Sequence, residues 1–284
     1  PHLAKVREGI ELSKANGVDF LLAVGGGSVI DATKFIGAGT FYDGDPWELS
    51  TGKGEIKACL PIVTVLTLSA TGSEMDMGGV ISNPETKDKL GRLDPHMLPK
   101  VSFLDPVNTY TVSAYQTACG SADILSHLFE VYFNMQPDLY MLDCFMEGLM
   151  KTVIRYTPVA IEKPDDYEAR ANLMWASSME LNSILDGGTV HGCACHMMEH
   201  ELSAYYDITL CYKYNKDPAA IEMLDTIYKN GRFELAYVYN FGSIRTTVEN
   251  SFKNNVSDIS GQITRINKVV RKSISDTLKA LNLE

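Results

Sequence analysis

The sequence predicts an α/β layer over residues 1–112, an all-α region over 113–209, and a separate, mostly helical tail over 210–284. Three observations predict it. A short apolar run, Asp19-Phe-Leu-Leu-Ala-Val24, passes through Gly25-Gly26-Gly27-Ser28 directly into helically spaced residues, the order of a doubly wound layer. Beyond Val112 long helical patterns follow one another, with proline and glycine confined to the gaps. The charge also changes along the chain. Residues 1–210 carry 14 Lys+Arg against 28 Asp+Glu, and residues 211–284 carry 11 against 8, so −14 and +3 give the net −11.

Residues 3–15 place Leu3, Val6, Ile10 and Leu12 at helical spacing and predict a helix that ends near Gly17. Asp19–Val24 is almost wholly apolar, as in a strand buried on both faces, and Val29–Ile36 resumes a helix. Leu60–Leu68, rich in β-branched residues, predicts a second strand that runs into Ser69-Ala-Thr-Gly-Ser-Glu74. Asp43–Trp47, Thr51–Glu55 and Asn83–Asp88 read as turns, and Val101–Asp105 as a third strand closed by Pro106. Helices are expected over Ala114–Phe133, Tyr140–Tyr156, Tyr167–Ile184 and His191–Ala204. The tail restarts at Asp217-Pro218 and ends in an amphipathic helix with apolar positions 259, 263, 266, 270, 274, 278 and 281, which reads first as a solvated helix packed on a core.

Composition excludes several functions. Clustered basic residues are what a phosphate backbone requires, so 36 Asp+Glu against 25 Lys+Arg argue against nucleic-acid binding. No apolar run approaches the ~18 residues of a membrane span, and no leader segment is evident. Six scattered cysteines read as reduced thiols of a cytoplasmic protein, and Cys193-x-Cys195 lacks the second pair that a zinc site needs.

Two constellations carry chemistry. Gly25–Ser28 lies where a strand ends and a helix begins, where bare backbone and a helix N-terminus can receive a phosphate. Ser28 and Asp31 have capping-box spacing, while Ile30 stands where a dinucleotide fingerprint has its third glycine. A phosphate cradle and a tight structural turn are both open readings. Ser69–Glu74 falls on the same sheet edge, where its hydroxyls could hold ribose or phosphate or simply form a turn. In the helical region Asp123 and His127 are four apart, as are His196 and His200, so each pair shares a helix face. Facing helices with carboxylate and imidazole groups build sites for Fe(II), Zn(II) or similar ions, and surface or capping histidines are the plainer alternative.

The segments AVGGGSVIDATKFI, TLSATGSE, FLDPVNTYT, the Asp123/His127 pair and HMMEHEL together resemble the iron-containing (group III) alcohol dehydrogenases, nearest to their NADP-linked butanol dehydrogenase branch. The resemblance runs from Pro1 to about Thr209. It implies an α/β domain that binds NAD(P)(H), a helical domain that holds Fe(II) or Zn(II), and a small alcohol or aldehyde between them. A homodimer is compatible with it. By resemblance Gly26, Gly27 and Ser28 hold the pyrophosphate with Asp31 nearby, Thr67, Thr71 and Ser73 line the cofactor, and Lys89 belongs to the same site. Asp123, His127 and His196 match metal ligands, and His200 matches a histidine beside the nicotinamide, with a place in the metal shell as its alternative.

The pattern breaks twice. The glycine turn arrives within 25 residues of Pro1, so part of the family's cofactor layer is expected to be missing, and with it the choice between NAD and NADP. After Asp207-Ile-Thr209 the family continues to a His-Gly with a fourth ligand, whereas this sequence reads Leu210-Cys-Tyr-Lys213. The tail faintly resembles the C-terminal end of extracellular sugar-type solute-binding proteins. The expectation is therefore a truncated dehydrogenase layer and helical domain fused to an unrelated tail. A glycerol-dehydrogenase-like relative and a non-enzymatic chimera are the alternatives.

Overall fold

The computed structural model describes residues 1–132, 139–185 and 200. The chain separates into two compact units, Pro1–Leu210 and Cys211–Glu284, and the described residues all belong to the first.

Helix α1 (Leu3–Asn16) buries Leu3, Val6 and Ile10 and stops at Gly17, as its spacing predicts. Strand β1 (Leu21–Gly25) leads into α2 (Gly27–Gly39), and the short helix α3 (Pro46–Thr51) follows. Asp45 caps α3 by accepting from the Trp47 N–H at 2.8 Å, so the residues read as two turns enclose one helical turn and a half. Strand β2 (Ile62–Leu66) pairs in parallel with β1 on one side and with β5 (Val101–Phe103) on the other. Between β2 and β5 lies an antiparallel hairpin, β3 (Gly78–Asn83) and β4 (Asp88–Leu93), with Val80 opposite Gly91.

The hairpin is the main departure from expectation in this layer. Only its Asn83–Asp88 turn is marked in the sequence, because glycines in both strands and charges along β4 interrupt any alternating pattern. The burial of β1 also differs. Ala23 packs with Ile30, Leu66 and Met174, but Leu22 and Val24 on the opposite face are 56% and 55% exposed. Helix α2 and Met174 cover one face of the three-stranded sheet, so β1 is buried on one side where two were expected.

The helical part comprises α4 (Ala114–Tyr132), α5 (Tyr140–Glu162) and α6 (Tyr167–Glu180). Proline does not stay in the gaps: α5 continues past Tyr156 and contains Pro158. Buried Val153 and Ala160 hold the helix on either side of it, and Thr157 Oγ1 donates to the Val153 carbonyl at 2.7 Å. Helix α6 begins at an Asp166 cap and ends at Glu180, four residues before the expected Ile184. Ile124, Leu128, Met146, Val153 and Leu173 form the helical core. Arg170 ties the three helices together, donating to Thr117 Oγ1 at 2.9 Å and to the carbonyls of Pro164 at 2.8 Å and Ala160 at 3.3 Å. The expected 191–204 helix, apart from His200, and the whole tail lie outside the described residues.

Candidate coenzyme turn and metal centre

The glycine turn is built by close approach. The Thr67 N–H donates to the Gly25 carbonyl at 3.1 Å, bringing the end of β2 against the turn. A Cβ on Gly27 would stand 2.3 Å from Thr71 Oγ1, so only glycine fits beneath that threonine. Gly26 occupies the N-cap of α2 without any side-chain cap, which overturns the capping-box reading of Ser28 and Asp31. Ser28 is exposed in the first turn, where helix N–H groups have no partners within the helix. Asp31 turns inward. It accepts from Ser73 Oγ at 2.6 Å and from the Val80 N–H at 3.0 Å, bracing α2 against the loop and the hairpin. Burial raises its pKa, opposed by Lys34, Ser73 and the Val80 N–H.

Gly26, Gly27, Thr67, Thr71, Asp31 and Ser73 thus meet at one end of β1 and β2. Lys89 is half-buried on β4 opposite Ser82. Beneath the turn lies a pair that sequence reasoning missed. Lys34 is fully buried and donates to Asp76 Oδ1 at 2.7 Å, to the Asp76 carbonyl at 3.0 Å and to the Gly78 carbonyl. Burial pushes the Asp76 pKa up to about 6 despite the attraction of Lys34.

The Ser69–Glu74 loop joins this turn to the helices. Gly72 has φ 60, and a Cβ there would stand 2.7 Å from the Ser177 carbonyl of α6. A Cβ on Gly120 of α4 would stand 2.3 Å from the Ser69 carbonyl. The buried Glu74 accepts from Ser178 Oγ, and its backbone carbonyl accepts from Ser102 Oγ at 2.6 Å.

On the helical side His127 is 6% exposed. Its Nε2 lies 3.9 Å from Asp123 Oδ1, one turn earlier on α4. Its Nδ1 lies 3.0 Å from Oε1 of the buried Glu180 on α6. The Glu180 pKa is held well above its usual range by burial first, then by the carboxylates of Asp123, Glu74 and Asp76. Among the described residues, one buried oxygen on each of Glu74 and Glu180 has no hydrogen-bond partner. His196 lies outside the described residues, and His200 is helical and half-buried. Among the described residues no three His, Cys, Asp or Glu side chains converge on a single ion position.

Glu180 had a legible signal. It continues the buried face of Leu173, Ala176 and Ser177, and a carboxylate on such a face requires a partner. Lys34 stands likewise one turn from both Ile30 and Ala38.

An α/β layer with a glycine turn at its strand ends, docked on a bundle that holds half-buried Asp123 beside buried His127 and Glu180, defines a two-part fold of the nucleotide-binding kind. The chain belongs to the iron-containing alcohol dehydrogenase family. Residues 1–106 match the model described as iron-containing alcohol dehydrogenase, and 117–210 match that of the Fe-containing alcohol dehydrogenase family, C-terminal. The chain is similar to NADH-dependent butanol dehydrogenase A of Clostridium acetobutylicum, at 54% identity over 209 residues, covering 74% of this chain and 54% of that protein. It is 42% identical over 211 residues to the NADPH-dependent aldehyde reductase YqhD of Escherichia coli, covering 73% of this chain and 54% of that one. The crystal structure of NADH-dependent butanol dehydrogenase A from Thermotoga maritima superposes with a TM-score of 0.72 at 42% identity, covering 78% of this chain and 59% of the other. The chain spans about half the length of the curated relatives it matches.

Proposed function

We propose that this chain carries parts of an oxidoreductase that transfers hydride between NAD(P)(H) and a small alcohol or aldehyde polarised by Fe(II) or Zn(II). The carrying observation is His127, buried between Asp123 and Glu180 in surroundings dominated by carboxylates. Such a place favours a cation. Two ligands of one tetrahedral zinc ion lie about 3.4 Å apart, from bond lengths of roughly 2.0–2.2 Å, so Asp123 Oδ1 and His127 Nε2 at 3.9 Å reach one ion by closing about 0.5 Å. The residues therefore fit the metal, with His196 assigned as a further ligand. Residues 1–112 and 113–209 act in this reading as partial coenzyme and metal domains, and 210–284 as a tail outside the reaction.

When bound, the metal supplies a Lewis acid for the carbonyl or alkoxide oxygen and the coenzyme supplies or takes the hydride. The protein supplies position. Gly26 and Gly27 leave the backbone open to a pyrophosphate, Ser28 offers its hydroxyl and N–H beside it, and the α2 dipole favours the negative charge. Thr67 and Thr71 form the opposing wall, Asp31 holds Ser73 in place, and Lys89 adds a cation from β4. His200 carries the proton to or from the substrate oxygen through its imidazole. Relatives named for NADH and for NADPH both match, so either coenzyme is admitted. The free thiols Cys59, Cys119 and Cys144 support a reducing, cytoplasmic setting, and burial pushes the Cys59 thiol up to about 12. No helix among the described residues is long and apolar enough to cross a membrane.

The test is metal content and coenzyme fluorescence on the full chain. Near one equivalent of metal, abolished by Asp123→Ala/His127→Ala, with NADH or NADPH fluorescence enhanced on binding, is the expected result. Neither metal nor coenzyme binding would refute the reading.

A further inference from the structure

We propose that Glu180 is the positioning residue of the metal centre, holding the His127 ring so that Nε2 faces Asp123. The inference rests on the metal reading above and extends it to a residue on a different helix. His127 has two ring nitrogens with different surroundings. Nδ1 meets Glu180 Oε1 at 3.0 Å, and Nε2 faces Asp123 Oδ1 at 3.9 Å.

A neutral imidazole carries one N–H, and a metal takes the other nitrogen. In its ionised form, which a cation bound beside it favours, Glu180 accepts from Nδ1–H, selects the tautomer with its proton there and directs the Nε2 lone pair toward the ion. Carboxylates commonly orient metal-bound histidines in this way, and their removal weakens metal binding by about 10- to 100-fold.

The support for Glu180 is rigid. Its side chain is completely buried at the last residue of α6, one turn beyond Ala176 and Ser177, which are also buried. The same stretch of α6 is pinned to the Ser69–Glu74 loop, with Ser178 donating to Glu74 and the Ser177 carbonyl filling the space over Gly72. Glu180 therefore sets the ring angle of His127 from the helix that also holds the coenzyme-side loop. Its role is positioning, since Oε1 touches the nitrogen on the far side of the ring from Asp123.

The experiment is a Co(II) titration of the metal-free full chain, read by visible absorption, for wild type, Glu180→Gln and Glu180→Leu. In wild type a saturable cobalt spectrum is expected. Glu180→Leu should weaken cobalt binding about 10- to 100-fold and alter the band shape. Glu180→Gln retains an amide oxygen that can accept from Nδ1–H, so it should keep the band shape and lose only severalfold in affinity. Should the leucine variant fail to fold, glutamine still decides: binding within twofold of wild type, with an unshifted His127 Nδ1 signal in 15N NMR, overturns the proposal. Equal cobalt binding by wild type and Glu180→Leu overturns it while leaving the metal reading intact. A wild type that binds no cobalt removes the metal reading and the proposal together.

Discussion

Two buried polar clusters lie on either side of the Ser69–Glu74 loop, and they are built to opposite rules. In the α/β layer Lys34 meets one carboxylate and two carbonyls, so cation and anions are balanced within the protein. In the helical part His127 meets Asp123 and Glu180, the charges acting on Glu180 are further carboxylates, and buried oxygens of Glu74 and Glu180 lack partners among the described residues. The first cluster is closed and serves the fold. Among the described residues, the second sets one imidazole against two carboxyl groups on different helices, the arrangement on which the proposed metal reading draws. Burial of polar groups alone does not mark a functional site, since a structural ion pair such as Lys34–Asp76 is buried too.

The largest expected effect breaks the closed cluster. Lys34→Met leaves Asp76 buried without its cation and should cost about 3–5 kcal/mol in urea unfolding. A loss under 1 kcal/mol would show that Lys34 is not needed to balance that charge.

The pH dependence of the same pair is next. Asp76 is raised from 3.8 to about 6, so its contribution to stability is complete below about pH 4 and is lost as pH rises through 6. Desolvation outweighs the attraction of Lys34. Wild type should therefore lose on the order of 3 kcal/mol relative to Asp76→Asn between pH 4 and pH 7, at about 1.4 kcal/mol per pH unit. Parallel stability curves for the two proteins would contradict this.

A smaller effect tests the joint between the clusters. Gly120→Ala places a methyl 2.3 Å from the Ser69 carbonyl and should cost about 1–3 kcal/mol. Because the displaced loop touches both the glycine turn and α6, coenzyme and metal affinities should fall together. A change in only one of them would show that the loop does not couple the two sides.

Much of this was legible in the sequence, for physical reasons that differ by element. The β1–Gly–α2 passage is readable because apolar run, glycines and helical spacing are adjacent in the chain. Asp123 and His127 are readable because i and i+4 share a helix face wherever the helix goes. The β3–β4 hairpin is not, since its glycines and charges erase the alternating signal. Asp31 misleads because the local spacing offers Ser28, three residues earlier, as a capping partner, while its true partners, Ser73 and Val80, are 42 and 49 residues away. Glu180 could be marked as a carboxylate on a buried helix face, but its partner His127, 53 residues earlier, emerges only from the packing of α4 on α6.

The contrast between a closed and an open cluster is tested most directly by unfolding the metal-free full chain in urea with and without Zn(II). At zinc about 100-fold above its dissociation constant, wild type and Asp76→Asn should both gain about 2.7 kcal/mol. Asp123→Ala/His127→Ala should gain nothing. Equal stabilisation of that double variant, or none in wild type, would contradict the account.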